Sequence, residues 1–172
     1  YDVDMPIVES PSIQFNSSGI GFQNDWCTVQ IGRGNEDWGA GENISLALSK
    51  NSSPYNFFKL ASNYGHLRVS YMHGFLERNQ DNVNRYLNSR GIEWSNKKSL
   101  VLGFSETIIY SGKDRAIDFA YFNPLSSHLE VELNNRLNTP GDWNSNAVWQ
   151  IHLDWLIRQR MRLSMNYLAD EF

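Results

Sequence analysis

The chain has 172 residues, of which 41% are hydrophobic and 13% aromatic, and its formal net charge is −4. This length suffices for one domain with its own core, while the acidic balance argues against a nucleic-acid partner, which would select a basic surface. The sequence contains no apolar run of about eighteen residues, so a helical membrane span is excluded.

Short segments in which apolar and polar residues alternate recur along the chain, and this period of two is typical of β-strands. The segment 51–64 is turn-rich with a short apolar patch, and residues 77–84 form a polar loop without an apolar face. With no convincing helix, the sequence predicts an all-β chain in a single domain, residues 1–172. The nine or ten predicted strands comprise residues 12–16, 26–33, 44–50, 66–76, 85–94, 99–110, 116–122 and 127–133 and the two limbs of residues 146–172.

A Gly-rich turn follows the strand that begins at Trp26. Its sequence, GRGNEDWGAGEN, carries four glycines, which permit backbone conformations closed to other residues and allow Trp38 to fold tightly against the turn. The glycine spacing fits neither phosphate-binding fingerprint, and no helix pattern follows. The turn is therefore predicted to be structural rather than nucleotide-binding.

The last 27 or so residues alternate most regularly and predict a two-stranded hairpin. One face of each limb is wholly apolar, whereas the other carries groups such as His152, Asp154 and Arg162. A soluble sandwich strand turns its polar face to water, and an outer-membrane barrel strand turns its apolar face to lipid and its polar face to the lumen. The period alone is compatible with both.

Two features of this hairpin are typical of an outer-membrane barrel. Large aromatic residues lie near the ends of its apolar faces, as a belt at a lipid–water boundary requires. The link Leu156 to Arg160 is short, whereas the preceding link, Asn134 to Asn146, is long and polar. Barrels alternate short turns and long loops in this way, but soluble hairpins also do so, and both interpretations stay open on the residues alone.

Four sequence blocks resemble successive blocks of the Wzi family of capsule-assembly proteins. They are IGRGNEDWGAGENISLALSKNSSPY from Ile31, LGFSETIIYSG from Leu102, YFNPL from Tyr121 and the closing NYLADEF from Asn166. Their order and spacing match the family over most of the chain from about Trp26 onward. The positions singled out in these blocks are Arg33, Trp38, Gly39, Gly41, Glu106 and Asp170.

The resemblance implies an antiparallel β-barrel in the outer membrane of Gram-negative bacteria. Such a protein binds capsular or other surface polysaccharide as a lectin and helps to assemble or anchor the capsule, without enzymatic activity. It implies that this chain is an internal fragment, with about nine or ten strands of a larger, monomeric barrel in contact with outer-membrane lipid. The alternative is a soluble all-β carbohydrate-binding or carbohydrate-active domain.

The polar strand faces supply the candidate ligand-binding residues. If the apolar faces contact lipid, the lumen receives many hydrogen-bonding groups, which suit a glycan, and arginines that could pair with acidic sugars. A simpler interpretation is that these groups fill the lumen through mutual ion pairs such as that of Asp154 with Arg162. The polysaccharide-binding candidates are Arg68, Gln150, His152, Asp154, Arg162 and Asn166.

Glu106 conflicts with this pattern. Counting in twos from Leu102 and Phe104 places its carboxylate on the lipid face, where an ionised group at mid-depth is costly. We therefore predict a β-bulge near Ser105 that turns Glu106 inward, unless it lies beyond the hydrocarbon at the end of the strand.

Catalytic groups are not arranged for an obvious reaction. Glu130 with Glu132, and Asp118 with Glu106, are the carboxylate pairs available for glycoside hydrolysis, but the alternation around Glu130 explains the first pair as an ordinary polar face. The four histidines lie on different predicted elements without metal-ligand spacing. The sequence therefore predicts neither an enzyme nor a cofactor or metal site.

Overall fold

The structure is a computed structural model, and it describes residues 18–41, 46–79, 81–131 and 144–170. These residues form an all-β fold in which eight strands build one open antiparallel sheet, each strand pairing with its neighbours in the sequence. The strands are β1 (Ser18–Gln23), β2 (Cys27–Gly34), β3 (Tyr55–Tyr64), β4 (Leu67–Leu76), β5 (Val83–Ser95), β6 (Leu100–Lys113), β7 (Asn144–Ile157) and β8 (Met161–Asp170). The strands predicted at 26–33, 66–76 and 85–94, that at 99–110 and the closing hairpin are thereby confirmed.

The strand register separates two faces of the sheet, because residues directly opposite each other on antiparallel strands point to the same side. Ile92, Phe104 and Ile151 lie side by side on β5, β6 and β7, and so do their neighbours Gly91, Ser105 and Gln150. We call the side of the first row the apolar face and the side of the second row the polar face.

Each face carries a core built by a connection that folds back over it. On the polar face, Leu48 of the Gly-rich segment (residues 35–41 and 46–50) packs with Tyr55, Phe57, Met72 and Leu87. On the apolar face, residues 115–131, which we call the strap, contribute Tyr121 and Val131 to a second core. Ile108, Tyr110 and Ala147 of the sheet complete this second core.

The strap is where the strand predictions at 116–122 and 127–133 were wrong. Phe119–Phe122 forms a 3₁₀ turn capped by the Asp118 carboxylate, and a helical turn occupies residues 128–131. Consecutive aromatic residues, Tyr121 and Phe122, both pack against the sheet, which strand alternation would not allow. The expectation of no helix is corrected accordingly, while residues 132 and 133 lie outside the described part of the chain.

The strands around the Gly-rich segment were also assigned incorrectly. Residues 46–50 form no strand, only a single bridge between Leu48 and Trp38, and residues 44 and 45 lie outside the described residues. Tyr55–Tyr64, predicted to be turn-rich, is instead the full strand β3. Both faces of β3 carry large apolar side chains, so its sequence reads as an apolar patch rather than as an alternating strand.

The bulge predicted near Ser105 is wrong. β6 pairs with β5 and with β7 in one unbroken register from Leu100 through Ser111, and Glu106 lies opposite Arg90 and Trp149. Glu106 therefore stays on the apolar face. The strand predicted at 12–16 lies outside the described residues, and within the described part of the chain no helix is long and apolar enough to cross a membrane.

Candidate functional site

Gln150 and Asn166, two candidate ligands on the polar face, hold the backbone of the Gly-rich segment. The Asn166 amide accepts a hydrogen bond from Ala40 N and donates one to Ala40 O, both at 2.8 Å. Gln150 Nε2 donates to Trp38 O at 3.1 Å, and its Oε1 accepts from Ala47 N at 3.1 Å. Both amides therefore fasten the chain's own segment to the sheet.

Glycine is required where the segment meets these amides. Gly39 has φ +141° and Gly41 has φ +87°, backbone conformations that L side chains rarely adopt. A Cβ at Gly39 would stand 2.8 Å from Asn166 Oδ1 and 2.9 Å from Gln150 Nε2. Trp38 packs between the polar-face core and the bare backbone of Gly91, where a Cβ would meet its ring at 2.5 Å. The WGAG stretch therefore needs its glycines to pack this closely against the sheet.

Asp154 and Arg162 form an ion pair across the β7–β8 hairpin. Arg162 Nε donates to both Asp154 oxygens, at 2.9 and 3.1 Å, and Nη2 contacts the second oxygen as well. Ser164 Oγ donates to the same carboxylate at 3.2 Å. Asp154 is buried while about half of the Arg162 side chain stays exposed. The pairing considered from sequence is present, and half of the Arg162 side chain is still exposed on the polar face.

His152 and Arg68 lie further into the polar face. His152 Nε2 is 3.1 Å from Oε1 of Glu93, and its ring covers the backbone of Gly103. Arg68 is the direct partner of Glu93 in the β4–β5 register. Together these residues line the polar face from β4 to β7, next to the seat of the Gly-rich segment.

A small charged cavity lies between the Gly-rich segment and strands β3–β5. Glu36, Asp37, Lys59, Arg68 and Glu93 contribute to its wall, and Lys59 Nζ is 2.6 Å from Glu36 Oε2. Its volume of about 60 Å³ accommodates a few water molecules but not a sugar ring, since ligand pockets are typically several hundred Å³. No group of three or more His, Cys, Asp or Glu side chains within the described ranges could hold a metal ion.

The remaining family-motif positions lie apart from one another. Arg33, at the end of β2, reaches the exposed Glu77 at 3.5 Å. Asp170, at the end of β8, lies opposite Val148 on the polar face. Glu106 is buried on the other side of the sheet. The structure therefore brings together Trp38, Gly39, Gln150 and Asn166 but not the whole set.

A buried ion pair on the apolar face was not expected from sequence. Arg90 Nε donates to Glu106 Oε2 at 2.7 Å, Trp149 Nε1 donates to Oε1 at 3.0 Å, and the backbone N–H of His128 donates to both carboxylate oxygens at 3.2 and 3.3 Å. Arg90 Nη1 in turn donates to Asn123 O at 3.0 Å. Two opposite charges that interrupt the apolar phase of neighbouring strands were the signal that could have identified it.

Next to this ion pair, the apolar face is exposed across all eight strands. We call this region the apolar belt, and its aliphatic and aromatic side chains are exposed or half-buried. Aromatic residues lie at or beside the turns that end its strands, namely Trp26, Tyr64, Trp94 and Trp155. The belt comprises Ile20, Phe22, Val29, Ile31, Phe58, Leu60, Leu67, Val69, Ile92, Trp94, Leu102, Phe104, Ile151, Leu153, Trp155, Leu163, Met165 and Tyr167.

Comparison with known proteins adds no relative: no protein-family model, no curated protein and no solved structure matches this chain.

Proposed function

We propose that this chain forms part of the wall of an outer-membrane β-barrel that binds capsular or other surface polysaccharide and helps to anchor the capsule. The observation that carries the proposal is the apolar belt, a continuous exposed surface on one side of the sheet. Monomeric soluble proteins rarely expose apolar patches of this extent, whereas barrel strands present them to lipid. The opposite side is polar and is filled by the chain's own Gly-rich segment.

The connections between strands support the same assignment. The turns 24–26, 65–66, 96–99 and 158–160 all lie at one end of the sheet and are short. The connections 35–54, 77–82 and 114–143 join strand ends at the other end of the sheet, and two of them are long. Outer-membrane barrels have short periplasmic turns and longer extracellular loops, so the long connections are assigned to the cell surface.

The belt also crosses the strands obliquely. Val29 on β2 is level with Leu60 and Tyr71 in the hydrogen-bond register. Ile151 on β7, although it belongs to the same belt, is level with Val69. Between β2 and β7 the belt is therefore displaced by two residues along the strand direction. Such a displacement is expected when strands are tilted relative to the plane of a membrane.

Polysaccharide binding rests on the resemblance to the Wzi family and on the chemistry of the polar face. Gln150 and Asn166 hold the Gly-rich segment, so the half-exposed Arg162 remains as the candidate to meet an acidic sugar that enters the lumen. His152 lies on the same strand as the Asp154 partner of that arginine. The site needs no catalytic group, and the proposed role is binding rather than turnover.

Membrane insertion is tested with the full-length protein expressed in a Gram-negative host. We expect it in the outer-membrane fraction, and we expect its mobility in detergent gels to change on heating, because folded barrels resist unfolding in detergent at room temperature. Recovery in the aqueous fraction without heat-modifiable mobility would instead favour the soluble carbohydrate-binding alternative.

Glycan binding is tested by retention on immobilised capsular polysaccharide. Arg162→Ala and His152→Ala are expected to weaken retention of the folded protein. Lys98→Ala removes an exposed cation from the short turn 96–99, at the same end of the sheet as Arg162, and is expected to have no effect. Unchanged retention in both polar-face variants would remove these residues from the proposed site.

A further inference from the structure

We propose that the strap is a membrane-interface element, with the exposed side chains of Phe119, Leu125 and Leu129 in the lipid boundary of the outer leaflet. The inference rests on the proposed barrel, because it extends the lipid-contacting surface beyond the strands themselves.

The strap is fixed to the same side of the sheet as the apolar belt. Tyr121 O accepts hydrogen bonds from Tyr71 Oη at 3.1 Å and from Asn88 Nδ2 at 2.9 Å. The Tyr121 ring stacks on Tyr110 and the Phe122 ring on His73, each with 4.4 Å between ring centroids. Since all four sheet partners point to the apolar face, the strap lies outside the barrel wall rather than in its lumen.

The strap also lies directly at the border of the belt. Arg90 and Glu106, which it covers, are two residues along their strands from the belt residues Ile92 and Phe104, a separation of about 7 Å. Asn123 and His128 make the hydrogen bonds to this ion pair. Leu125 lies between them in the chain and is therefore held close to the lipid-facing rows.

The outward side of the strap is apolar at these positions. Phe119 is 80% and Leu125 89% exposed, and Leu129 is also exposed, while Tyr121, His128 and Val131 are buried against the sheet. Aliphatic and phenyl side chains cannot form hydrogen bonds with a polysaccharide, and their exposure to water is unfavourable. A hydrocarbon boundary continuous with the belt is the surrounding that suits them, as for amphipathic segments at membrane interfaces.

This arrangement explains how charged groups are tolerated on the lipid side of β5 and β6. The ion pair of Arg90 and Glu106 is covered by Asn123 and His128, so lipid meets the outer side of the strap rather than the charges. The strap therefore continues the hydrocarbon-contacting surface over a polar row of the sheet.

The test measures where spin labels lie when the full-length protein is reconstituted into phospholipid liposomes. In a Cys27→Ser background, labels are placed at L125C and F119C on the strap, at I151C in the belt and at K98C in a short turn. The accessibility of each label to oxygen, which concentrates in lipid, is divided by its accessibility to a water-soluble nickel complex. Heat-modifiable mobility confirms that each labelled variant is folded.

We expect the oxygen-to-nickel ratio at L125C to be several-fold above that at K98C and close to that at I151C, with F119C between the two references. Ratios at both strap positions equal to that at K98C, while I151C remains lipid-like, would overturn the strap inference and leave the barrel intact. A water-like ratio at I151C would overturn the barrel itself, and the strap inference with it.

Discussion

The apolar face has two halves that share strands, phase and register but not surroundings. On β6, Leu102 and Phe104 are 40% and 47% exposed, whereas Ile108 and Tyr110, beyond Glu106 in the same phase, are fully buried under the strap. Side-chain alternation is identical in both halves, and the change occurs at Arg90 and Glu106. The comparison shows that a period of two assigns a residue to a face but leaves open what covers that face.

The largest expected effect is at the border between the halves. Glu106→Ala leaves Arg90 buried without its carboxylate partner, which typically costs about 3–5 kcal/mol of folding free energy. Urea unfolding of the full-length protein in lipid or detergent measures this loss. Glu77→Ala is the matched control, because its pair with Arg33 is exposed and is expected to contribute less than about 1 kcal/mol.

A double variant sharpens the interpretation. Arg90→Met combined with Glu106→Leu removes both charges and is expected to recover much of the lost stability, because the site no longer holds an unpaired charge. If Glu106→Ala were no more destabilising than Glu77→Ala, the ion pair would not mark a structurally important border, and the division of the apolar face into two halves would lose its support.

Sequence reasoning predicted the strands whose two faces differ. Six of the eight strands alternate cleanly enough that β2, β4, β5, β6, β7 and β8 were located within a few residues. β3 was missed because Phe57 packs under the Gly-rich segment while Phe58 joins the apolar belt, so apolar side chains occur on both faces. Alternation disappears where both sides of a strand meet apolar groups.

The partners of two candidate ligands could not be predicted because they are distant in the sequence. The candidate ligands Gln150 and Asn166 were correctly placed on the polar face, but their partners are backbone atoms of residues more than a hundred positions away.

The helical turn of the strap, in contrast, had a local signal in the sequence. Ser127 and Glu130 have the S-x-x-E spacing of a capping box, which indicates a helix start where a strand was predicted.

An intermediate effect tests whether the exposed half meets lipid. Phe104 and Ile109 lie on β6 with similar exposures, 47% and 40%, but on opposite faces of the sheet. In liposomes, Phe104→Arg is expected to destabilise by about 2–4 kcal/mol if it lies near the membrane midplane, and Ile109→Arg by no more than about 0.5 kcal/mol, as for a surface substitution. Equal effects in unfolding experiments would indicate that both faces meet water.

The smallest expected effect concerns the strap that covers the other half. Ser127 Oγ accepts a hydrogen bond from Glu130 N at 3.2 Å and caps the helical turn that positions His128 N on Glu106. Ser127→Ala is expected to cost about 1 kcal/mol and to speed hydrogen exchange of the strap amides, leaving β8 amides unchanged. Ser127→Asp should restore protection, because aspartate caps equally well. Equal exchange in Ser127→Ala and the unsubstituted protein would mean that packing of Tyr121 and Phe122, rather than the cap, holds the strap over this half.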